Sequence, residues 1–143
     1  MTKIFLDANV LIDILSDKPR ALSKESSNLY AYLVQNLDRY RLYTSCELFT
    51  TLYYVLNRVQ DKHSVLNGLK VMSRVINVIE FANAEIDEAI YLMEKDTNFS
   101  DLEDTIQYVM ARKERCDYII TNDKQFYSYE IPLLSSAEAL GVI

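Results

Sequence analysis

Lys3-Ile4-Phe5-Leu6-Asp7-Ala8-Asn9-Val10-Leu11-Ile12-Asp13 carries the first architectural signal of the chain. Ile4-Phe5-Leu6 is an apolar run too short for a helix, and it reads as a strand buried on both faces. After Asp7 the period changes: Val10, Leu11, Ile14 and Leu15 fall at helical spacing, so strand gives way to helix within two residues. Such a strand belongs to a parallel sheet with helices on its faces. Asp7 then stands at the C-terminal end of that strand, on the edge where ligands bind in open α/β sheets. Asn9 is placed to cap the new helix. An acid at a strand end also serves as a plain cap, so Asp7 signals chemistry only if other carboxylates reach the same edge.

Outward from this stretch, strand and helix alternate. Ser16–Arg20 is a loop with a proline breaker. Leu29, Tyr32, Leu33 and Leu37 mark an amphipathic helix opening near Ser27 or Asn28. Arg41–Thr44 is a second strand, and Ser45 is placed to cap a helix carrying Leu48, Leu52, Val55, Leu56 and Val59. Asp61–Met72 reads as a helix, Val75–Glu80 as a β-branched strand, and Ile86, Ala89, Ile90 and Met93 as one face of a helix opening at Asn83 or Ala84. Ser100 is placed to cap a further helix with Ile106, Val109 and Met110. Asp117–Thr121 is a strand, Leu133-Leu134 a short one, and Ala137–Leu140 a last helix. The expected fold is a three-layer α/β/α sandwich with a mostly parallel central sheet, residues 1–143 forming one domain without linker or repeat.

Composition narrows the class of protein. In 143 residues half are hydrophobic while Gly and Pro number two each, which favours a helix-rich globular domain over disorder. No apolar run reaches membrane-spanning length and no signal-peptide layout opens the chain, so a cytoplasmic protein without a membrane partner is expected. Cys46 and Cys116 form no C-x-x-C and read as reduced thiols. The net charge of −6 argues against a broad basic nucleic-acid surface. That argument weakens if the acids gather at one site, because bound cations reverse the local field.

Three further acidic spots bear on the edge marked by Asp7. Tyr118-Ile119-Ile120-Thr121-Asn122-Asp123 is again an apolar strand ending in an acid. Asp101-Leu102-Glu103-Asp104 opens a helix, where acids are stabilised by the helix dipole. Asp101 and Asp104 share a face there, and Glu103 is expected to point elsewhere. Glu47, in the first turn of its helix, is either an ordinary helix-start acid or a carboxylate projecting towards Asp7. His63, the single histidine, sits among polar residues and reads as a surface side chain, so no Ser-His or Cys-His pair is supported. Gly68 and Gly141 form no phosphate loop.

In their order and spacing, Asp7-Ala8-Asn9-Val10-Leu11-Ile12, Asp104-Thr105-Ile106-Gln107 and Ile120-Thr121-Asn122-Asp123-Lys124-Gln125-Phe126 resemble the motifs of PIN-domain ribonucleases, in particular VapC-type toxins of bacterial toxin–antitoxin pairs. The resemblance runs from Lys3 to about Leu140. It implies a PIN-like fold, metal-dependent endoribonuclease activity, an RNA substrate, a homodimer and a small antitoxin partner. One position departs from the pattern: where the family carries a glutamate, this chain has Thr51, with Glu47 one helical turn earlier on the same face. Glu47 is accordingly the candidate replacement. Carboxylates without Cys or His favour Mg²⁺ or Mn²⁺. The expected ligands are Asp7, Asp104 and Asp123, with Glu47 and Asp101 as auxiliaries, and Asn9, Thr121 and Thr51 as residues that orient them. Lys18, Arg20, Arg112, Lys113, Arg115 and Lys124 are candidates to hold RNA phosphates, and tyrosines such as Tyr30, Tyr32, Tyr53 and Tyr54 to stack on bases or to form an interface. Two alternatives stand beside the nuclease. One is a binding or scaffold module whose acids only cap helices. The other is an aspartyl-phosphate phosphatase, which wants an acid where this chain has Asn9.

Overall fold

Ile4, Phe5 and Leu6 are at most 1% exposed, and they form the C-terminal part of β1 (Thr2–Leu6), the central strand of a five-stranded sheet. This arrangement comes from a computed structural model that describes all 143 residues. Along the chain β1 is followed by α1 (Ala8–Leu15), α2 (Ser23–Gln35), β2 (Tyr40–Ser45), α3 (Glu47–Leu56), α4 (Lys62–Ser73) and β3 (Asn77–Ile79). Then come α5 (Asn83–Lys95), α6 (Leu102–Lys113), β4 (Tyr118–Ile120), β5 (Leu133–Leu134) and α7 (Ser136–Ala139). The strands lie in the order β3-β2-β1-β4-β5 and every neighbouring pair is parallel.

Alternation along β1 divides the core in two. Ile4 and Leu6 face one side with Leu42 and Ile120, covered by Val10 and Leu11 of α1, Leu29 and Leu33 of α2, and Leu52 and Leu56 of α3. Phe5 faces the other side with Tyr43 and Ile119, covered by Ala89 of α5 and Tyr108, Val109 and Met110 of α6. This is the expected α/β/α sandwich. Burying each of these large side chains contributes roughly 1.5–3 kcal/mol, which holds β1 where it lies. No helix is long and apolar enough to cross a membrane. Both cysteines are free thiols, and burial pushes Cys116 up to about 12.

Several boundaries differ from the sequence expectation, each for a local reason. α2 opens at Ser23, ahead of Ser27 and Asn28. Val75 and Ile76 donate their amides to the Met72 carbonyl, both at 3.0 Å, so they close the end of α4 and leave β3 only Asn77–Ile79. Ser45 ends β2 and makes no cap; its hydroxyl instead donates to the Glu47 carboxylate. α6 is capped by Asp101 in place of Ser100, its carboxylate accepting from the Asp104 amide at 2.9 Å. α1 is capped by Asp7 in place of Asn9.

Candidate metal centre

The sheet reverses its order at β1: β2 lies on one side of it and β4 on the other. The crevice beyond the carboxyl ends of β1 and β4 is therefore the topological switch point, the usual ligand position of an open α/β sheet. Asp7 leaves β1 there, and Thr121-Asn122-Asp123 leaves β4. The two exits are tied together by the Asp7 amide, which donates to the Ile120 carbonyl at 3.0 Å. α6 brings its N-terminal turn to the same place. A depression of about 290 Å³ results, lined by Asp7, Asn9, Asp101, Glu103, Asp104, Gln107 and Asp123 among others. Residues from three distant parts of the sequence thus converge.

Asp7 is 5% exposed. Its Oδ2 accepts from the Thr121 hydroxyl at 2.7 Å, and its Oδ1 accepts from the Ala8 amide at 2.6 Å. Burial raises its pKa; the bonds from Thr121, Ala8 and Gln107 oppose that rise, and the charge of Asp123 adds to it. Asp104 is half-buried and is pushed up to about 7, chiefly by burial and then by the charges of Asp7, Asp101, Asp123 and Glu103. Asp123 is exposed, with Oδ1 accepting from the Gln125 amide at 2.9 Å, while its own amide donates to Thr121 Oγ1 at 3.1 Å. Thr121 therefore braces both acids from beneath. Asn9 does similar work from α1: its Oδ1 accepts from the Asn122 amide at 3.3 Å.

Two expectations need correction and two residues were missed. Glu103 does not point elsewhere: it lines the depression, and its pKa is raised by burial and by Glu47, Asp101 and Asp7. At the first turn the helix has no preceding residues to screen that side, so Asp101, Glu103 and Asp104 fan over one opening. Glu47 does not line the depression. One of its carboxylate oxygens is occupied by Ser45, the other is buried without a partner, and its charge reaches the site through Glu103. Thr51 lies a turn further from the sheet edge, its hydroxyl 3.5 Å from the Glu47 carbonyl. Gln107 was missed although it is 1% exposed, lines the depression and helps hold the charged form of Asp7. Its spacing of three from Asp104 and four from Glu103 was the available signal. Asp13 was the other omission. It is buried at 5% exposure, paired with Arg20 at 2.7 Å and bonded by Ser26 at 3.0 Å. Among the other basic candidates, Arg112 and Lys113 pair with Glu88, Glu130 and Glu85 on the α5–α6 side.

The donor set fits a hard divalent cation. It consists of five carboxylates with no Cys or His, and the raised pKa values of Asp7, Glu103 and Asp104 express charge that only a proton or a cation relieves. No three of the acids are drawn together tightly enough to form a ready-made cage.

A crossover sheet with a depression at its switch point defines a class, the open α/β proteins that bind ligands beyond the carboxyl ends of their strands. The particular family follows from comparison: a family model described as PIN domain matches residues 3–125, and the chain belongs to that family. It is 45% identical over 136 residues to Ribonuclease VapC1 of Aquifex aeolicus, covering 95% of this chain and 92% of the relative. Among solved structures, Mycobacterium tuberculosis VapC20, a toxin that cleaves the sarcin-ricin loop, superposes with a TM-score of 0.70 at 18% identity, covering 86% of this chain and 92% of its own. VapBC2 of Rickettsia felis, bound to a promoter DNA fragment, gives a TM-score of 0.69 at 16% identity over 94% and 98%. At those identities the structures bear on the fold alone.

Proposed function

We propose that this chain is a divalent-cation-dependent endoribonuclease, the toxin of a toxin–antitoxin pair, in which Asp7, Asp104 and Asp123 hold the ion. The observation that carries this reading is the convergence of those three acids at the sheet's switch point without any basic side chain lining their depression. The 45% identity to a ribonuclease over nearly the whole chain supports the activity, and the VapC and VapBC neighbours support a small antitoxin partner. Mg²⁺ or Mn²⁺ matches the all-oxygen donors. A second copy of the chain as partner and an RNA substrate follow from the same family reading, with residues 1–143 acting as one PIN domain.

The division of labour among the side chains follows from their bonds. Thr121 and the Ala8 amide fix the two oxygens of Asp7, leaving its remaining lone pairs turned to the depression. Gln107 supports that orientation from α6. Asp123 is aimed by the Gln125 amide and by Thr121. Asp101 has one oxygen committed to capping α6, so it serves as an auxiliary donor through the other, and Glu103 lies beside it. Glu47 acts at one remove, adding negative charge behind Glu103. With its pKa raised to about 7, Asp104 is close to half protonated at neutral pH, and a bound cation would favour its charged form. When bound, the ion supplies an activated water and neutralises the charge that grows on a phosphodiester.

The phosphatase alternative lacks its acid, because Asn9 occupies that position and accepts from the Asn122 amide. The test is incubation of the purified chain with structured RNA and Mn²⁺, with and without EDTA. Cleavage that EDTA abolishes is the expected result. Failure both to bind Mn²⁺ and to cleave would leave the scaffold reading in possession.

A further inference from the structure

Arg20 is the one basic residue that reaches the rim of this edge on a built support. Its Nε donates to Oδ1 of buried Asp13 at 2.7 Å. Asp13 Oδ2 in turn accepts from Ser26 Oγ at 3.0 Å and from Asn122 Nδ2 at 3.4 Å. Asn122 also donates to Ser136 Oγ at 3.0 Å, and its side-chain carbonyl accepts the Ser136 amide at 2.9 Å. The network therefore joins α1, α2 and α7 to the residue immediately before Asp123. The Arg20 side chain remains 43% exposed, and only its Nε bonds to Asp13, so the Nη groups are available.

Arg20 lines a second depression, about 370 Å³, together with Asn9, Asp13, Ala21, Leu22 and Asn122. It meets the acidic depression at Asn9. A third, of about 360 Å³, shares Leu22 and Asn122 with the second and Asp123 with the first. The three run together around the Asn122-Asp123 corner, and the basic side chains lining them are Arg20 and Lys124. An arginine whose inner nitrogen is pinned to a buried carboxylate has lost much of its rotational freedom before any ligand arrives. It presents a planar fork that matches a phosphate.

Resting on the nuclease reading above, we propose that Arg20 binds a backbone phosphate of single-stranded RNA next to the one lying over the acids, so that the strand runs from the acidic depression past Asn9 towards α2. Single-stranded RNA fits better than a duplex because the three openings turn around one corner within a few residues. Asp13 and Asn122 are positioning residues in this arrangement. They fix the height of the guanidinium relative to Asp123.

The experiment uses a short fluorescein-labelled oligouridine and the full-length chain carrying Asp104→Asn, so that the probe survives. Anisotropy is recorded in EDTA across a KCl series for this parent, for Arg20→Gln, and for Arg115→Gln. Arg115, a phosphate-holding candidate on sequence, sits in the turn before β4, on the sheet edge opposite the acidic depression, which removes it from that set, and its removal changes the net charge equally. Arg20→Gln is expected to weaken binding roughly fivefold to tenfold and to reduce the slope of log K against log salt by about 0.7, one phosphate contact. Arg115→Gln is expected to change neither. Equal behaviour of the two variants overturns the proposal, as does a weaker affinity with an unchanged slope or a parent that binds no RNA. Should Arg20→Gln fail to fold because Asp13 is left without its partner, Asp13→Asn/Arg20→Gln replaces it and is read in the same way. Cleavage by the wild-type chain with Mn²⁺ is followed in parallel. Arg20-dependent binding without cleavage removes the nuclease reading and leaves this inference, whereas cleavage with Arg20-independent binding does the reverse.

Discussion

Asp7 and Asp13 stand six residues apart at the start and in the body of α1, each 5% exposed, and the molecule treats them in opposite ways. Asp13 has its counter-ion built in: Arg20 pairs with one oxygen while Ser26 and Asn122 donate to the other. Asp7 has neutral donors only, and around its depression stand Asp101, Glu103, Asp104 and Asp123. A buried carboxylate that carries its own cation is part of the scaffold. A buried carboxylate that faces more carboxylates has the charge of a site completed by something from solution.

The sharpest way to break this contrast is to neutralise each acid in turn. Asp7→Asn is expected to lower RNA cleavage at least roughly a hundredfold and to weaken Mn²⁺ binding, with the metal-free fold retained. Single-turnover cleavage and calorimetric titration report both quantities. A variant as active as wild type would place the chemistry elsewhere. Asp13→Ala is expected to act on the fold instead, costing about 2 kcal/mol in urea unfolding, because Ser26 and Asn122 lose their acceptor while Arg20 turns to water. If Asp13→Ala lost Mn²⁺ affinity without losing stability, the distinction between the two acids would collapse.

Smaller effects sharpen the comparison. Thr121→Val removes the hydroxyl that donates to Asp7 and accepts from the Asp123 amide, and a fall in kcat of about tenfold is expected with a stability loss near 1 kcal/mol. The pH dependence of the metal-free chain separates proton from cation. Asp104 binds its proton more tightly folded than unfolded, since burial and its acidic neighbours raise its pKa to about 7 from 3.8. Its contribution is therefore full below about pH 4 and is lost as pH rises through 7, on the order of 1 kcal/mol once solvent screening is allowed for. Saturating Mn²⁺ should flatten that slope, and urea midpoints measured from pH 4 to 8 would expose a chain that behaves otherwise. Glu47→Gln is expected to have the smallest effect, about threefold on Mn²⁺ affinity, because its charge is felt only behind Glu103. No change at all in affinity or turnover would dismiss Glu47 as the replacement for the glutamate missing at Thr51.

Most of the frame was legible along the chain because it rests on local periodicity. The triplet Ile4-Phe5-Leu6 announced a doubly covered strand, and the change of period after Asp7 announced the crossover helix. Once the sheet is parallel, the exits of β1 and β4 share an edge, so chain direction alone puts Asp7 and Asp123 on the same side, and the adjacency of the two strands brings them together. The fan of Asp101, Glu103 and Asp104 was not readable in the same way. Helical spacing separates Glu103 from its neighbours, yet at a first turn the side chains lean over an opening that only the neighbouring strands define. Asp13 was invisible as a structural anchor for the same reason: its partners Arg20, Ser26 and Asn122 come from three separate segments.

Residue order by itself thus determined which segments are strand or helix and on which edge the strand-end acids emerge, since both follow from hydrophobic period and chain direction. Only the tertiary structure decided which buried acid receives an arginine and which is left facing other acids. That depends on distances through space between residues whose separation along the chain carries no information about them.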